Sequence, residues 1–282
     1  MRMTEPAQAW PTPGWAAGTT SVDQRRAQVE CAQILDDAGI RPGEHVVNLG
    51  DETALLTLEA LRRVGPEGTV STVTPRVPVI RQARPMPGAG TVRWIGTDPF
   101  TLDLPSASAQ VVVANRVFAY RAPLRGLMAE AARVLEVGGR LSIREPLHAE
   151  QRVELDWQGI DPSEVDLVHT AVGNATPALR AARRLSERGL VLAGQLTGLD
   201  AGLPRCDWVH VDLREVDAVK AYLSRPVTPG GPSTAQLMRS TITDQRLVGR
   251  YEQALVRGAE HSGVRITLPV MRLTAVRRAL PR

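Results

Sequence analysis

The 282-residue chain lacks several residue types on which many functional sites depend. Of its 34 basic residues, all but Lys220 are arginine, so chemistry that needs a cluster of lysines is excluded. The cysteines, Cys31 and Cys206, are too few for a disulfide framework or a cysteine-based metal cluster. Their number is typical of a protein from a reducing compartment, and we therefore expect a cytoplasmic location.

Long runs of one residue character are also missing. No apolar stretch reaches 18 residues, and the N-terminus lacks an apolar signal-peptide core, so we expect neither a membrane anchor nor a membrane partner. The net charge of +4 comes from arginines scattered among acids, without a basic run of five, which argues against nucleic acid as a partner. The serine-hydrolase elbow (Gly-x-Ser-x-Gly) and the phosphate loop of nucleotide triphosphatases are absent, and both classes are disfavoured.

What is present is a regular alternation of short apolar runs with helical patterns. Residues 45–49, 69–74, 92–95, 111–114 and 140–144 are predicted to be strands. Helices of ten to fifteen residues between strands indicate a parallel sheet with right-handed crossovers. In such a fold, the active crevice lies beyond the carboxyl ends of the strands.

The pattern divides the chain into four regions. We expect residues 1–20 to be a flexible arm and residues 21–146 to form the sheet-containing core. Residues 147–262 are rich in helix and are predicted to form a lid or substrate region, which includes one core strand near 190–196. Residues 263–282 would return to the sheet as a C-terminal strand and tail.

Three local patterns follow one another along the chain. They are residues 40–50 (IRPGEHVVNLG), residues 104–116 (LPSASAQVVVANR) and residues 131–141 (AARVLEVGGRL), the last of which contains R-V-L-x-x-G-G. Together they resemble the class I S-adenosylmethionine-dependent methyltransferase family, over residues 28–146 and more loosely over 190–198 and 263–278. The resemblance implies a Rossmann-like α/β sheet, mostly parallel and of seven strands, with a helical lid.

The cofactor motif departs from the family pattern. The family ends its first strand with an acidic residue and a Gly-x-Gly-x-Gly loop, whereas this chain has Asn48 and then Gly50, Glu52 and Ala54. A side chain in that loop blocks the close approach of the backbone to the cofactor. The acidic residue that binds the ribose hydroxyls is replaced by Thr74. We therefore expect either no cofactor or S-adenosylmethionine at an eroded site, whose remaining residues would be Gly50, Thr74, Asp98 and Asn115.

Three residues are candidates for acid–base catalysis. Asp51 and Glu52 are adjacent carboxylates at a strand-to-helix turn, where they could act as a general base or hold a cation; alternatively, Asp51 caps the following helix. His148 follows the fifth strand and titrates near neutral pH, so it is a candidate general base, or else an exposed loop histidine.

Five residues are candidates for substrate binding. Arg116 and Tyr120 follow the fourth strand, where Arg116 would bind an anionic group or else form a salt bridge. Arg144 ends the fifth strand, and Trp157 and His169 lie in the lid, as a substrate wall or as part of its surface. The spacing of histidine, cysteine and acidic residues predicts no metal site.

These features predict a methyltransferase-like protein that acts on a small organic molecule, in bacterial natural-product (antibiotic) biosynthesis. Its eroded cofactor site would be repurposed for a non-methylating step such as cyclisation, elimination or rearrangement. One alternative is an active methyltransferase with a divergent pocket. The other is a non-catalytic subunit of a biosynthetic enzyme, and a homodimer or a protein partner is compatible with the sequence.

Overall fold

A computed structural model describes residues 21–50, 54–73, 90–120, 123–228 and 231–279, with the side chains of residues 21–24 and 26 excepted. The strands are β1 (His45–Leu49), β2 (Thr69–Val73), β3 (Thr91–Ile95), β4 (Ala109–Asn115), β5 (Leu135–Pro146), β6 (Arg152–Glu154), β7 (Leu199–Ala201), β8 (Arg205–Leu213) and β9 (Val264–Arg277). The helices are α1 (Ser21–Ala38), α2 (Leu55–Val64), α3 (Leu124–Val134), α4 (Pro162–Asn174), α5 (Pro177–Arg184), α6 (Glu187–Gln195), α7 (Val216–Ser224), α8 (Thr234–Thr241) and α9 (Gln245–His261). Two short 3₁₀ helices cover Phe118–Tyr120 and His148–Glu150.

All these strands belong to one sheet. Neighbouring strands follow the order β3-β2-β1-β4-β5-β9, with the first five strands parallel and β9 antiparallel, and β6, β7 and β8 also pair with β9. The predicted Rossmann-like sheet is therefore confirmed, although the described residues form nine strands rather than seven. The difference comes from β9, whose 14 residues can pair with β5 and β6 along one edge and with β7 and β8 along the other.

The prediction of a core strand near 190–196 is wrong. This segment lies in α6, which begins after Ser186, whose side chain accepts a hydrogen bond from the Gly189 backbone N–H. Leu190 and Ala193 are buried while Leu192 is exposed, which is the spacing of one helix face rather than of a strand. The prediction failed because a short apolar run is compatible with both a strand and a helix. The outer strand is instead β8, whose side chains alternate in exposure along most of its length.

The apolar core has three parts. One lies between the sheet and α3, α5 and α6, and another lies between the sheet and α1 and α2. The third joins α4, α7, α8 and α9 to β8 and β9, and we refer to these four helices as the lid. No helix in the described part of the chain is both long enough and apolar enough to cross a membrane.

A fully buried carboxyl group fixes the turn that follows β4. Glu145, near the end of β5, accepts hydrogen bonds from three consecutive backbone N–H groups, those of Val117 (2.8 Å), Phe118 (3.0 Å) and Ala119 (2.9 Å). These donors begin a helical turn and would otherwise be buried without partners. Burial raises the pKa of Glu145 from its ordinary 4.5 to about 7, against the lowering effect of these bonds and of the Arg116 charge.

We predict that Glu145→Gln lowers the free energy of unfolding by about 1–3 kcal/mol, measured by urea unfolding. The amide keeps the size of the side chain but turns an N–H group toward a backbone donor, so at least one buried N–H loses its partner. The exposed Glu150, on the neighbouring 3₁₀ helix, offers a matched control. Glu150→Gln should leave the free energy of unfolding within about 0.5 kcal/mol of the wild-type value.

The stabilisation by Glu145 should also depend on pH. Because its pKa is higher in the folded chain (about 7) than its ordinary 4.5, the contribution of Glu145 is complete below pH 4.5 and is lost as the pH rises to about 7. The gap in stability between wild type and Glu145→Gln should therefore narrow over this range. A gap that widens with pH would contradict the raised pKa.

Candidate functional site

A cavity of about 740 Å³ lies between the sheet and the lid. It borders the residues that follow β4 and β5, where a doubly wound fold places its ligands. Its volume is within the range of about 300–1,000 Å³ that is usual for small-molecule sites. The apolar wall is formed by Val153, Val168, Val172, Leu179, Val209, Val211, Met238, Ile266 and Leu268.

On the core side of the cavity, three predicted site residues meet. Arg116 follows β4, Tyr120 lies in the 3₁₀ helix held by Glu145, and His148 follows β5. The Tyr120 hydroxyl and His148 Nε2 are 2.7 Å apart and share a hydrogen bond, and Arg116 Nη2 donates to the same hydroxyl at 3.4 Å. Arg116 and His148 line the cavity, whereas Tyr120 is buried behind them.

His148 is kept in its neutral form. Burial, and then the positive charge of Arg116, lowers the pKa of the imidazole from its ordinary 6.5 to about 4, although the Gln151 side chain opposes the shift. The hydrogen bond with Tyr120 fixes the orientation of the ring. A neutral, oriented imidazole beside a cavity is a group that can accept a proton.

A second histidine–tyrosine pair lies on the lid side. His169 of α4 and Tyr251 of α9 are joined by a hydrogen bond of 2.9 Å between Nε2 and the hydroxyl, and both line the cavity. Burial lowers the pKa of His169 and raises that of Tyr251. Trp157 packs against both rings, at centroid distances of 6.3 and 5.4 Å, and is a support behind the wall rather than part of it.

Gln151 lies between the two histidine–tyrosine pairs along the cavity wall. Gln151, His148 and Tyr222 all line the cavity. The Gln151 side chain lowers the pKa of Tyr222, although burial raises it overall. Tyr222 belongs to the lid helix α7, so polar side chains of both core and lid face the ligand space.

Arg144 lies behind the cavity wall. Only 5% of its side chain is exposed, and Arg144 Nη2 forms an ion pair with Glu30 Oε1 at 3.1 Å. Glu30 itself lines the cavity. Arg144 thus orients an acidic residue of α1 from behind.

The backbone at the end of β1 keeps part of the shape of a cofactor loop. Gly50 has a φ of +75°, and a Cβ atom there would lie 2.8 Å from Val117 Cγ2, so only glycine fits. Ala54 adopts a φ of +55° although it is not glycine. The predicted site residues Asp51, Glu52 and Thr74 lie outside the described residues.

The side chains around this backbone are less suited to the cofactor. Asn48, where the family has an acid, is fully buried, and Asn48 Nδ2 donates to Thr57 Oγ1 at 3.0 Å. Asp98 closes its own turn, since Asp98 Oδ1 accepts from the Phe100 N–H at 3.0 Å. Asn115 keeps a buried Oδ1 atom that accepts no hydrogen bond within the described part of the chain.

The residues present therefore do not fit S-adenosylmethionine in the family's ordinary mode. Asn48 is neutral at a position where the family has an acid, and its amide is already hydrogen-bonded to Thr57 within the core. In the sequence, Thr74 replaces the second acid and Glu52 replaces a glycine of the loop. No group of three or more potential metal ligands occurs among the described residues.

Several residues of this site carry no recognisable sequence signal. Tyr222 and Tyr251 lie on amphipathic helices, where an aromatic residue is an ordinary core residue. Gln151 lies in a loop without a motif. Glu145 did carry a hint, because an acidic residue between Arg144 and Pro146 at the end of a buried strand needs a specific partner.

Comparison with known proteins agrees with this geometry. Residues 50–143 match a family model described as a methyltransferase domain. The YcgJ protein from Bacillus subtilis aligns with a TM-score of 0.57 and 14% identity, over 89% of this chain and 99% of its own. A putative methyltransferase from Bacillus halodurans aligns with a TM-score of 0.56 and 14% identity, over 89% of this chain and 100% of its own.

A third structure with the same fold is that of a cyclase. The [4+2]-cyclase SpnF aligns with a TM-score of 0.52 and 14% identity, over 91% of this chain and 84% of its own. At these identities, the structures establish a shared fold, and the family model supplies the match in sequence. The predicted family resemblance is confirmed: residues 50–143 match the model of a methyltransferase domain, and the chain shares its fold with a putative methyltransferase.

Proposed function

We propose that this protein converts a small organic molecule in the cavity beneath the lid by proton transfer, without transferring a methyl group. The observation that carries the proposal is the neutral His148, fixed by Tyr120 and placed beside Arg116 at the edge of a cavity of about 740 Å³. Bacterial natural-product biosynthesis is the setting we propose, and the cytoplasm the location.

The roles of the three residues follow from their placement. His148 accepts a proton from the bound molecule. In a cyclisation or a rearrangement it returns the proton to the product, and in an elimination it passes the proton to the departing group, so the reaction needs no other reagent. Tyr120 is a positioning residue that holds the imidazole ring. The guanidinium group of Arg116 stabilises the negative charge that forms on the substrate when the proton leaves. A cyclisation, an elimination or a rearrangement meets this description.

Two further observations support a non-methylating reaction. The side chains at the cofactor positions do not fit S-adenosylmethionine, as described above. In addition, the [4+2]-cyclase SpnF has the same fold, so this fold is compatible with a reaction other than methyl transfer.

A second candidate is an active methyltransferase with a divergent pocket. It is favoured by the glycine-only backbone of Gly50, which the family uses to approach the cofactor, and by the methyltransferase-domain match. His148 would then remove the proton from the substrate atom that receives the methyl group. The two candidates differ in whether S-adenosylmethionine binds, and the first experiment below separates them.

We predict that calorimetric titration with S-adenosylmethionine or S-adenosylhomocysteine detects no micromolar binding to the wild-type chain. The double variant Glu52→Gly/Thr74→Asp, which restores two family residues, should gain affinity by about one to two decades. This gain corresponds to one charge-assisted hydrogen bond of roughly 1.5–3 kcal/mol. Thr74→Ser is the matched control and should gain nothing. Micromolar binding to the wild type would overturn the proposal in favour of the active methyltransferase.

We also predict that His148 stays neutral until the pH falls to about 4. An NMR titration of its ring protons would measure this pKa, and the signals that disappear in the spectrum of His148→Gln identify those of His148. Since the folded-state pKa lies below the ordinary 6.5, His148 stabilises the fold fully above pH 6.5, and this contribution is lost as the pH falls through 4. A ring that titrates near 6.5 would show that it is neither buried nor affected by Arg116.

A further inference from the structure

The cavity beneath the lid has two chemically different parts. Its apolar wall comes from β6, β8, β9 and helices α4, α5 and α8, and this wall contributes only valine, leucine, isoleucine and methionine side chains. The cationic groups are three arginines: Arg116 after β4, Arg183 at the end of α5, and Arg225 just after α7. A ligand that fills the cavity therefore meets both hydrocarbon and guanidinium groups.

Positive charge predominates among the lining residues that the structure describes. Against the three arginines, these residues include two acids, Glu30 and Asp166. Glu30 is held by the ion pair with Arg144 behind it, which adds a fourth guanidinium group close to the cavity. Such a balance attracts an anion and disfavours a cation, and the surrounding apolar wall strengthens the effect by lowering the local dielectric constant.

The backbone holds Arg116 in a conformation that is unusual for this residue type. Its φ is +58°, in the left-handed region that non-glycine residues seldom adopt. Bonds on both sides hold this conformation: the Arg116 N–H donates to the Arg144 carbonyl at 2.9 Å, and the next three N–H groups donate to Glu145. Strained residues that are fixed in this way are concentrated at ligand sites.

We propose that the ligand of this cavity is an apolar monoanion, with a carboxylate-type group bound at Arg116 and a hydrocarbon body against the valine and leucine wall. The proposal rests on the function proposed above and specifies its substrate class. A planar guanidinium group binds a carboxylate through two parallel hydrogen bonds, which also fixes the orientation of the ligand.

Such a ligand would also make His148 a better base. The positive charge of Arg116 is one of the two causes that lower the pKa of His148. An anion bound at Arg116 offsets this charge, so the pKa of the imidazole rises when the ligand binds. Binding should therefore be accompanied by uptake of protons, to an extent that increases as the pH falls toward the His148 pKa.

The test uses octanoate and 1-octanol, two probes of equal chain length that differ in charge, titrated into the full chain by calorimetry. We expect octanoate to bind at least about tenfold more tightly than 1-octanol. Arg116→Gln should remove this preference while it leaves the affinity for 1-octanol unchanged. Arg205→Gln is the matched control, because Arg205 is an exposed arginine that does not line the cavity. Should Arg116→Gln not fold, Arg116→Lys provides a second variant, because an ammonium group lacks the two parallel donors of a guanidinium group and should reduce the preference.

Repeating the octanoate titration at about pH 6, where octanoate is ionised, in buffers of different ionisation enthalpy counts the protons taken up, and this uptake should disappear in His148→Gln. Equal affinity for the two probes, binding of neither probe, or an octanoate preference that survives the Arg116 variants would overturn the proposal. This failure is separable from that of the proposed function, which depends on S-adenosylmethionine. If the chain does not bind S-adenosylmethionine and binds octanoate and 1-octanol equally, the proposed non-methylating function stands and the proposed substrate class is wrong.

Discussion

The candidate site depends on one buried side chain. Glu145 comes from β5, but the three N–H groups that it binds belong to the turn after β4. It therefore joins the ends of two neighbouring strands and fixes the turn that contains Arg116 and Tyr120. His148, three residues further along the same chain, is bound to that turn through Tyr120. Loss of the carboxyl group would release all three residues together, although Glu145 itself does not line the cavity.

Burial favours the uncharged form of both titratable groups in this region. It raises the pKa of Glu145 and lowers that of His148, and the charge of Arg116 opposes the first shift and adds to the second. As the pH rises through the acidic range, the stabilisation by Glu145 decreases and that by His148 increases, so the two changes partly cancel. The pH dependence of the wild-type free energy of unfolding therefore does not separate the two contributions.

Much of the core could be predicted from sequence because its patterns are local. The ends of β4 and β5 were identified from apolar runs, and Arg116, Tyr120 and His148 were each selected because they follow those ends. Their mutual contact depends on the pairing of β4 with β5, which places Asn115 beside Arg144. Strand register of this kind is set by the whole sheet, and a local pattern does not specify it.

The lid was less predictable for a similar reason. His169 and Tyr251 are 82 residues apart in the chain, and only the packing of α4 against α9 brings them together. A short apolar run such as that of α6 fits a strand as well as a helix, because it is too short to show a clear period.

The sequence shows which family residues are replaced at the cofactor positions. The structure adds that Asn48 is hydrogen-bonded to Thr57 within the core.

The long strand β9 limits how a ligand can enter the cavity. It pairs with β5 in the core and with β8, which carries part of the cavity wall on the lid side. A hinge that swung the whole lid away would have to break this shared ladder, so the lid is not an independent domain. A ligand therefore enters and leaves while the sheet stays intact. The core and lid walls of the cavity keep their relative positions because one strand belongs to both.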